Sequence, residues 1–288
     1  NIEAALSLLA LTAKNERVRR RNIEEADLYG LDVPIAAMRS SLKRILRRAN
    51  DGGDKNSSKD DDDHVPDDDG DDDDEEEEVI AAELQRKACL YLGAIADVNA
   101  DTGADKDKEI ATKIVEEDGL LAILDAIDWF RYHEEVINWA LWAVFILCYD
   151  HARNKEQFVR MGGIGKVCCA MKNIVDDHRQ EKLHGQDGDS DVDHELVKGV
   201  ARHGVAILFD ALRFDDSNPD SDFMHVRRVA LNAGMHEAVK GAMEEFLDNA
   251  EIMMMGQQML IVTGYKGEIP QFDGPIIPFS AIAHKSDT

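Results

Sequence analysis

The feature that most constrains this chain is a glycine followed by the same apolar stripe, found four times. Behind Gly30, Gly119, Gly163 and Gly234 stand Leu31, Leu120, Ile164 and Met235. Four residues further come Ile35, Leu124, Cys168 and Val239, and three beyond those Met38, Ile127, Met171 and Ala242. Apolar residues four and three apart lie on one side of a helix, so each glycine opens a helix with one buried seam. A second stripe precedes the last three glycines: Ala88/Leu92/Ile95, Ala140/Val144/Leu147 and Ala201/Val205/Leu208. Ala4/Leu8/Leu11 supplies the partner for Gly30, and Gly256/Leu260/Thr263 starts a fifth copy. A small residue at the same point of every copy lets helices cross closely. Two helices that recur in register cannot each bury a face alone, so the chain is expected to stack them.

Strand signals are poor. Sustained alternation is missing, no hairpin dipeptide stands between alternating runs, and aromatic residues make up only 6% of the chain. Val136 to Tyr149 is apolar almost all round, the mark of a helix enclosed on several sides. Three polar segments interrupt the pattern. Asp51 to Glu78 holds 17 acidic and 2 basic residues, over half of the net charge of −26. Such a run repels itself and has nothing to bury, so it is expected to be disordered. A polar insertion covers about 176–195, another spans Asp215 to Asp222, and three prolines, Pro270, Pro275 and Pro278, make the end an extended tail. The expected organisation is a partial repeat at 1–49, an acidic loop at 50–78, repeats over 79–264 and a tail at 265–288.

One stretch carries a family resemblance. Asn138-Trp139-Ala140-Leu141-Trp142-Ala143-Val144-Phe145-Ile146-Leu147, followed by Asn154-Lys155-Glu156-Gln157-Phe158-Val159-Arg160-Met161-Gly162-Gly163-Ile164, resembles one armadillo unit running into the next, as in importin alpha and beta-catenin. The related HEAT repeats share much of the pattern. The 44 residues from Gly119 to Gly163 fit a period of about 40–47, and the longer spacings are read as units carrying inserted loops. The resemblance covers about two-thirds of the chain and implies an all-α, right-handed solenoid whose concave face is built from the third helix of each unit. In importin alpha that helix presents a Trp and, four residues later, an Asn that holds a peptide backbone. The matching pairs here are Leu90/Ala94, Trp142/Ile146, His203/Ile207 and Gln258/Val262. Only Trp142 agrees, so the amide clamp is not carried over. What the resemblance leaves is an apolar inner face, with Leu90, Trp142, Ile146, His203, Ile207 and Gln258 as candidate contacts for a partner protein. The competing reading makes them ordinary core, covered by inserted loops or further repeats.

Charge and motifs limit the alternatives. So acidic a chain repels nucleic acid and anionic lipid and favours a basic partner or one presenting an amphipathic helix. Arg39, Lys43, Arg44, Arg47 and Arg48 line one helix face ahead of the acidic run, with a second cluster at Arg17, Arg19, Arg20 and Arg21. The run is either a solvated linker or a cover folded back on that basic face. Cys89, Cys148, Cys168 and Cys169 lie in helical patterns without Cys-x-x-Cys spacing, which suggests buried free thiols and a reducing, intracellular compartment, cytoplasmic or nuclear. No stretch reaches the roughly 18 apolar residues of a membrane span. The chain starts at Asn1 inside an apolar pattern, as expected of a piece of something longer.

Catalytic signatures fail on inspection. A calcium loop with Gly70 sixth would place Val65 first, and one on Asp189, Asp191 and Asp193 would place Val200 twelfth. A phosphate loop ending at Gly165-Lys166 lacks its first glycine, at Arg160, and its hydroxyl, at Val167. His133-Glu134-Glu135 has no second His four residues after the first. The expectation is therefore a protein-interaction scaffold, not an enzyme, with no cofactor or metal. The alternative is an acidic chaperone-like module that binds a basic protein through the Asp/Glu run.

Overall fold

The computed structural model describes residues 29–51, 72–97, 106–184, 191–212 and 223–272. Among these residues the chain is all-helical, with eleven helices and no strand. They are α1 (Tyr29–Asp51), α2 (Asp72–Asp97), α3 (Lys106–Glu116), α4 (Gly119–Trp129), α5 (Glu134–Cys148), α6 (Ala152–Arg160), α7 (Gly163–Leu183), α8 (Asp191–Leu212), α9 (Phe223–Asn232), α10 (Met235–Glu245) and α11 (Ala250–Val262).

The helices pack in two rows. In one, α1, α4, α7 and α10 each lie on the next; in the other, α2, α5, α8 and α11 do the same. The short helices α3, α6 and α9 introduce three triplets, α3–α4–α5, α6–α7–α8 and α9–α10–α11, ahead of which stands the pair α1–α2. Both stripes read from the sequence face inward. Ala88, Leu92, Ala140, Val144, Leu147, Ala201, Val205 and Leu260 are 0% exposed, as are Leu120, Leu124, Ile164, Met171 and Val239. The Ala4/Leu8/Leu11 copy and the arginines at 17–21 lie outside the described residues.

The register of the repeat differs by one residue from the sequence alignment. Ahead of α4, α7 and α10 the backbone takes a left-handed turn at Asp118 (φ 62°), Gly162 (φ 74°) and Gly234 (φ 78°). Gly234 therefore corresponds to Asp118 and Gly162, and Met235 to Gly119 and Gly163. The left-handed region is the reason for glycine at 162 and 234. Gly119 and Gly163 are glycine for another reason. A Cβ at Gly119 would press on Ile114, and one at Gly163 on the Phe158 ring, with the carbonyl oxygen of Phe158 2.8 Å away. At the same separation before Met235 stands Ala230, a small residue where Ile114 and Phe158 are large.

Helices also reach further than the polar segments suggest. α2 begins at Asp72, inside the acidic run, instead of near Val79. Carboxylates in the first turns of a helix meet its positive end, which offsets their mutual repulsion. The expected insertion at 176–195 is mostly helix, since α7 continues to Leu183 and α8 starts at Asp191. The disorder expected for the acidic loop falls on 52–71, outside the described residues, as do 213–222 and most of the tail. The described start of the tail, through Phe272, is non-helical; Tyr265, Ile269 and Phe272 pack on the core and Gln257 Nε2 donates to the Pro270 carbonyl at 2.9 Å.

Polar links join the rows at buried points. Gln85 of α2, 0% exposed, donates to the Met38 carbonyl (3.0 Å) and to Ser41 Oγ (2.6 Å) of α1. Asn154, 1% exposed, donates to the Leu147 carbonyl at 2.7 Å and so satisfies one of the open carbonyls at the end of α5. Of the predicted buried thiols, Cys89, Cys148 and Cys168 are buried and Cys169 is exposed, because it falls one position off the inward stripe.

Candidate functional site

The third-helix row α2–α5–α8–α11 carries the positions that the resemblance singles out. Leu90, on α2, is half-buried and its companion Ala94 is buried. Trp142 and Ile146, on α5, are both half-buried. The Trp142 ring lies across Gly93 of α2, at a place where any Cβ would collide with it. The residue is thus partly committed to joining α2 and α5, and presents only its remaining surface. His203, on α8, is half-buried and Ile207 is 3% exposed. Ile207 belongs to the core and offers nothing to a partner, because it turns toward the helices beneath α8. Gln258 on α11 is exposed, with Val262 at 56%.

The structure adds residues that the pairwise reading missed. On α5, Trp139 meets Trp142 edge-on, with ring centroids 5.7 Å apart and planes at 90°. One turn further, the Phe145 and Tyr149 rings meet at a tilt of 43° with centroids 5.1 Å apart. Trp139, Trp142 and Ile146 are spaced three and four residues apart, one stripe along α5, and Tyr149 follows three residues later as the residue that ends the helix. Their spacing could have been found in the sequence, but a helix apolar all round hides which of its stripes faces out. Beyond α5 the row continues with half-buried Ala206 and Phe209 on α8 and exposed Ile261 (65%) on α11.

Arg86 of α2 makes a bidentate pair with Glu83, both contacts 2.6 Å, and reaches Glu135 of α5 at 3.4 Å. The hydrogen bonds from Arg86 hold the Glu83 carboxyl down at about 2 against the opposing effect of burial. At the other side of α5, burial pushes His203 down to about 3, helped by Arg202 and opposed by a backbone hydrogen bond at Asn138. A group held neutral in this way is a packing element at any ordinary pH, not a proton shuttle. Asn138 itself occupies the space left by Gly199 of α8. Among the described residues, no group of three His, Cys, Asp or Glu side chains is arranged to hold a metal ion. No helix there is long and apolar enough to cross a membrane. The surface can bury apolar area against another macromolecule.

No family model matches the chain, and neither a curated protein nor a solved structure does.

Proposed function

We propose that the chain is a short armadillo-like solenoid, a right-handed superhelix of helical triplets, that binds another protein along its third-helix face. The observation carrying this reading is the aromatic stripe of α5, with Tyr149 47% exposed at its end, set in a row of helices that present Leu90, Phe209 and Ile261 beside it. Half-exposed aromatic residues in line are costly to leave in water and are the residue types that dominate protein contacts. The two-row packing supports the solenoid half of the proposal, since each triplet rests on the same helices of its neighbours. The partner is a protein segment with an apolar face, such as an amphipathic helix, because the row offers a long surface instead of an enclosed pocket.

Affinity capture with the full chain tests this, at about 0.1 M and about 0.5 M salt, between which charge contacts are strongly screened. A companion protein has residues 52–71 replaced by a neutral linker of equal length. A partner of the face is retained in all four conditions and lost with Ile146→Glu or Ile261→Glu. Capture that needs the acidic residues and disappears at the higher salt overturns the reading in favour of an acidic module for basic proteins.

A further inference from the structure

The corner between α4 and α5 holds a feature that the face above does not use. It is an open concavity of about 460 Å³ lined by Glu78, Trp129, Phe130, Tyr132, His133, Glu134, Glu135 and Leu196. Three elements of different sequence origin meet there: the start of α2, the α4–α5 turn and the start of α8. The turn is held by its backbone, with Phe130 N donating to the Ala126 carbonyl (2.9 Å) and His133 N to the Phe130 carbonyl (2.8 Å). Phe130, 5% exposed, forms the floor and meets His133 edge-on at 6.4 Å. On the rim Trp129 is 40% and Tyr132 66% exposed. Glu134 and Glu135 occupy the first turn of α5, where the helix dipole favours their charge.

We propose that this concavity takes the cationic side chain, lysine or arginine, of a basic segment in a partner protein. Two independent properties of the lining select a cation. Carboxylates from two helices line it, and two exposed aromatic side chains stand beside them, a residue type whose π system attracts a cation. Either alone would be unspecific; together they exclude an anion and disfavour a purely apolar group. Arg86, the cation that reaches Glu135 at 3.4 Å, is held at two contacts by Glu83, and Arg131 is exposed. The net charge of −26 supplies the long-range attraction. The inference does not rest on the third-helix face.

The test is a titration of the full chain with an arginine-rich peptide, and with a control in which glutamine replaces each arginine. The indole N–H signal that Trp129→Phe removes reports on the corner. Arginine peptide should move that signal and the glutamine peptide should not. Tyr132→Ala should weaken binding roughly 3- to 10-fold, with Tyr132→Phe close to wild type, the range expected of a cation on one exposed ring. Replacing residues 52–71 by a neutral linker should lower the total binding and leave the Trp129 shift in place. An unmoved Trp129 signal, or affinity indifferent to Tyr132→Ala, would show that the acidic run alone attracts the peptide and would overturn the proposal. Ile261→Glu, on the other surface, should change nothing here, so the two readings fail separately.

Discussion

Gly163 and Gly165 stand two residues apart at the start of α7 in opposite surroundings. A Cβ at Gly163 would run into Phe158, whereas at Gly165 nothing lies within 4 Å. Gly163→Ala is therefore expected to cost about 1–3 kcal/mol, since a ring and a backbone carbonyl must both give way. Gly165→Ala should be neutral or stabilising by up to about 1 kcal/mol, because alanine loses less entropy in a helix. Denaturant melts of both variants check the pair, and equal losses would refute the close-approach argument. The thiols divide in the same manner. Burial raises Cys89, Cys148 and Cys168 to about 12, and Cys169 is exposed. A thiol reagent at neutral pH should label one cysteine of the native chain quickly and the other three only on unfolding. Rapid modification of two or more would contradict this packing.

At the scale of elements, α8 owes its placement to two contrasting contacts. Near its C-terminal end, where a carboxylate is disfavoured by the helix dipole, Asp210 is 6% exposed and meets Lys155 of α6 at 3.2 Å. Removing one partner of such a pair leaves a buried charge, so Asp210→Ala or Lys155→Met should destabilise by about 3 kcal/mol. The double change Lys155→Met with Asp210→Leu should recover part of the loss, and no recovery would argue against the pair as the cause. In the middle of α8, His203 packs toward α5 with its folded-state pKa depressed to about 3. The unfolded chain takes up this proton near 6.5 and the folded chain does not. Stability from this group is complete above about pH 6.5 and falls as the pH drops toward about 3. His178, lowered mainly by its burial, adds to the same trend. Thermal melts from about pH 7 to about pH 4.5 should show a shallower decline for His203→Gln than for the wild type; parallel curves would rule the histidine out.

For the whole molecule, charge and contact order set the behaviour. A net charge of −26 on 288 residues opposes compaction. The ion pairs that screening would weaken are mainly exposed and worth little individually. Raising salt from about 0.05 M to about 0.5 M should therefore raise the melting temperature, and a fall would mean that the ion pairs outweigh the repulsion. Neighbour-on-neighbour packing makes α5 the most enclosed element, with α2, α4 and α8 all packed on it. It is also the helix that the sequence marks as apolar all round, which explains why its core residues were legible and its outward stripe was not. The same limit applied to the candidate surface. Leu90, Trp142, Ile146, His203 and Gln258 keep some exposure, and Ile207 does not. A four-residue spacing fixes direction on a helix only to within a fraction of a turn.

What the amino-acid order determined by itself is the helical character, the inward stripes Ala140/Val144/Leu147 and Leu120/Leu124/Ile127, and the small residues at the crossings. Each of these is a property of a few turns of chain, set by the 3.6-residue period and by side-chain size. Only the tertiary structure decided that Gly234 answers to Gly162 and not to Gly163, that α2 starts within the acidic run, and that Glu78, Tyr132 and Leu196 share one corner. Those outcomes depend on what a neighbouring helix leaves exposed or fills, and that information is spread over residues far apart in the chain.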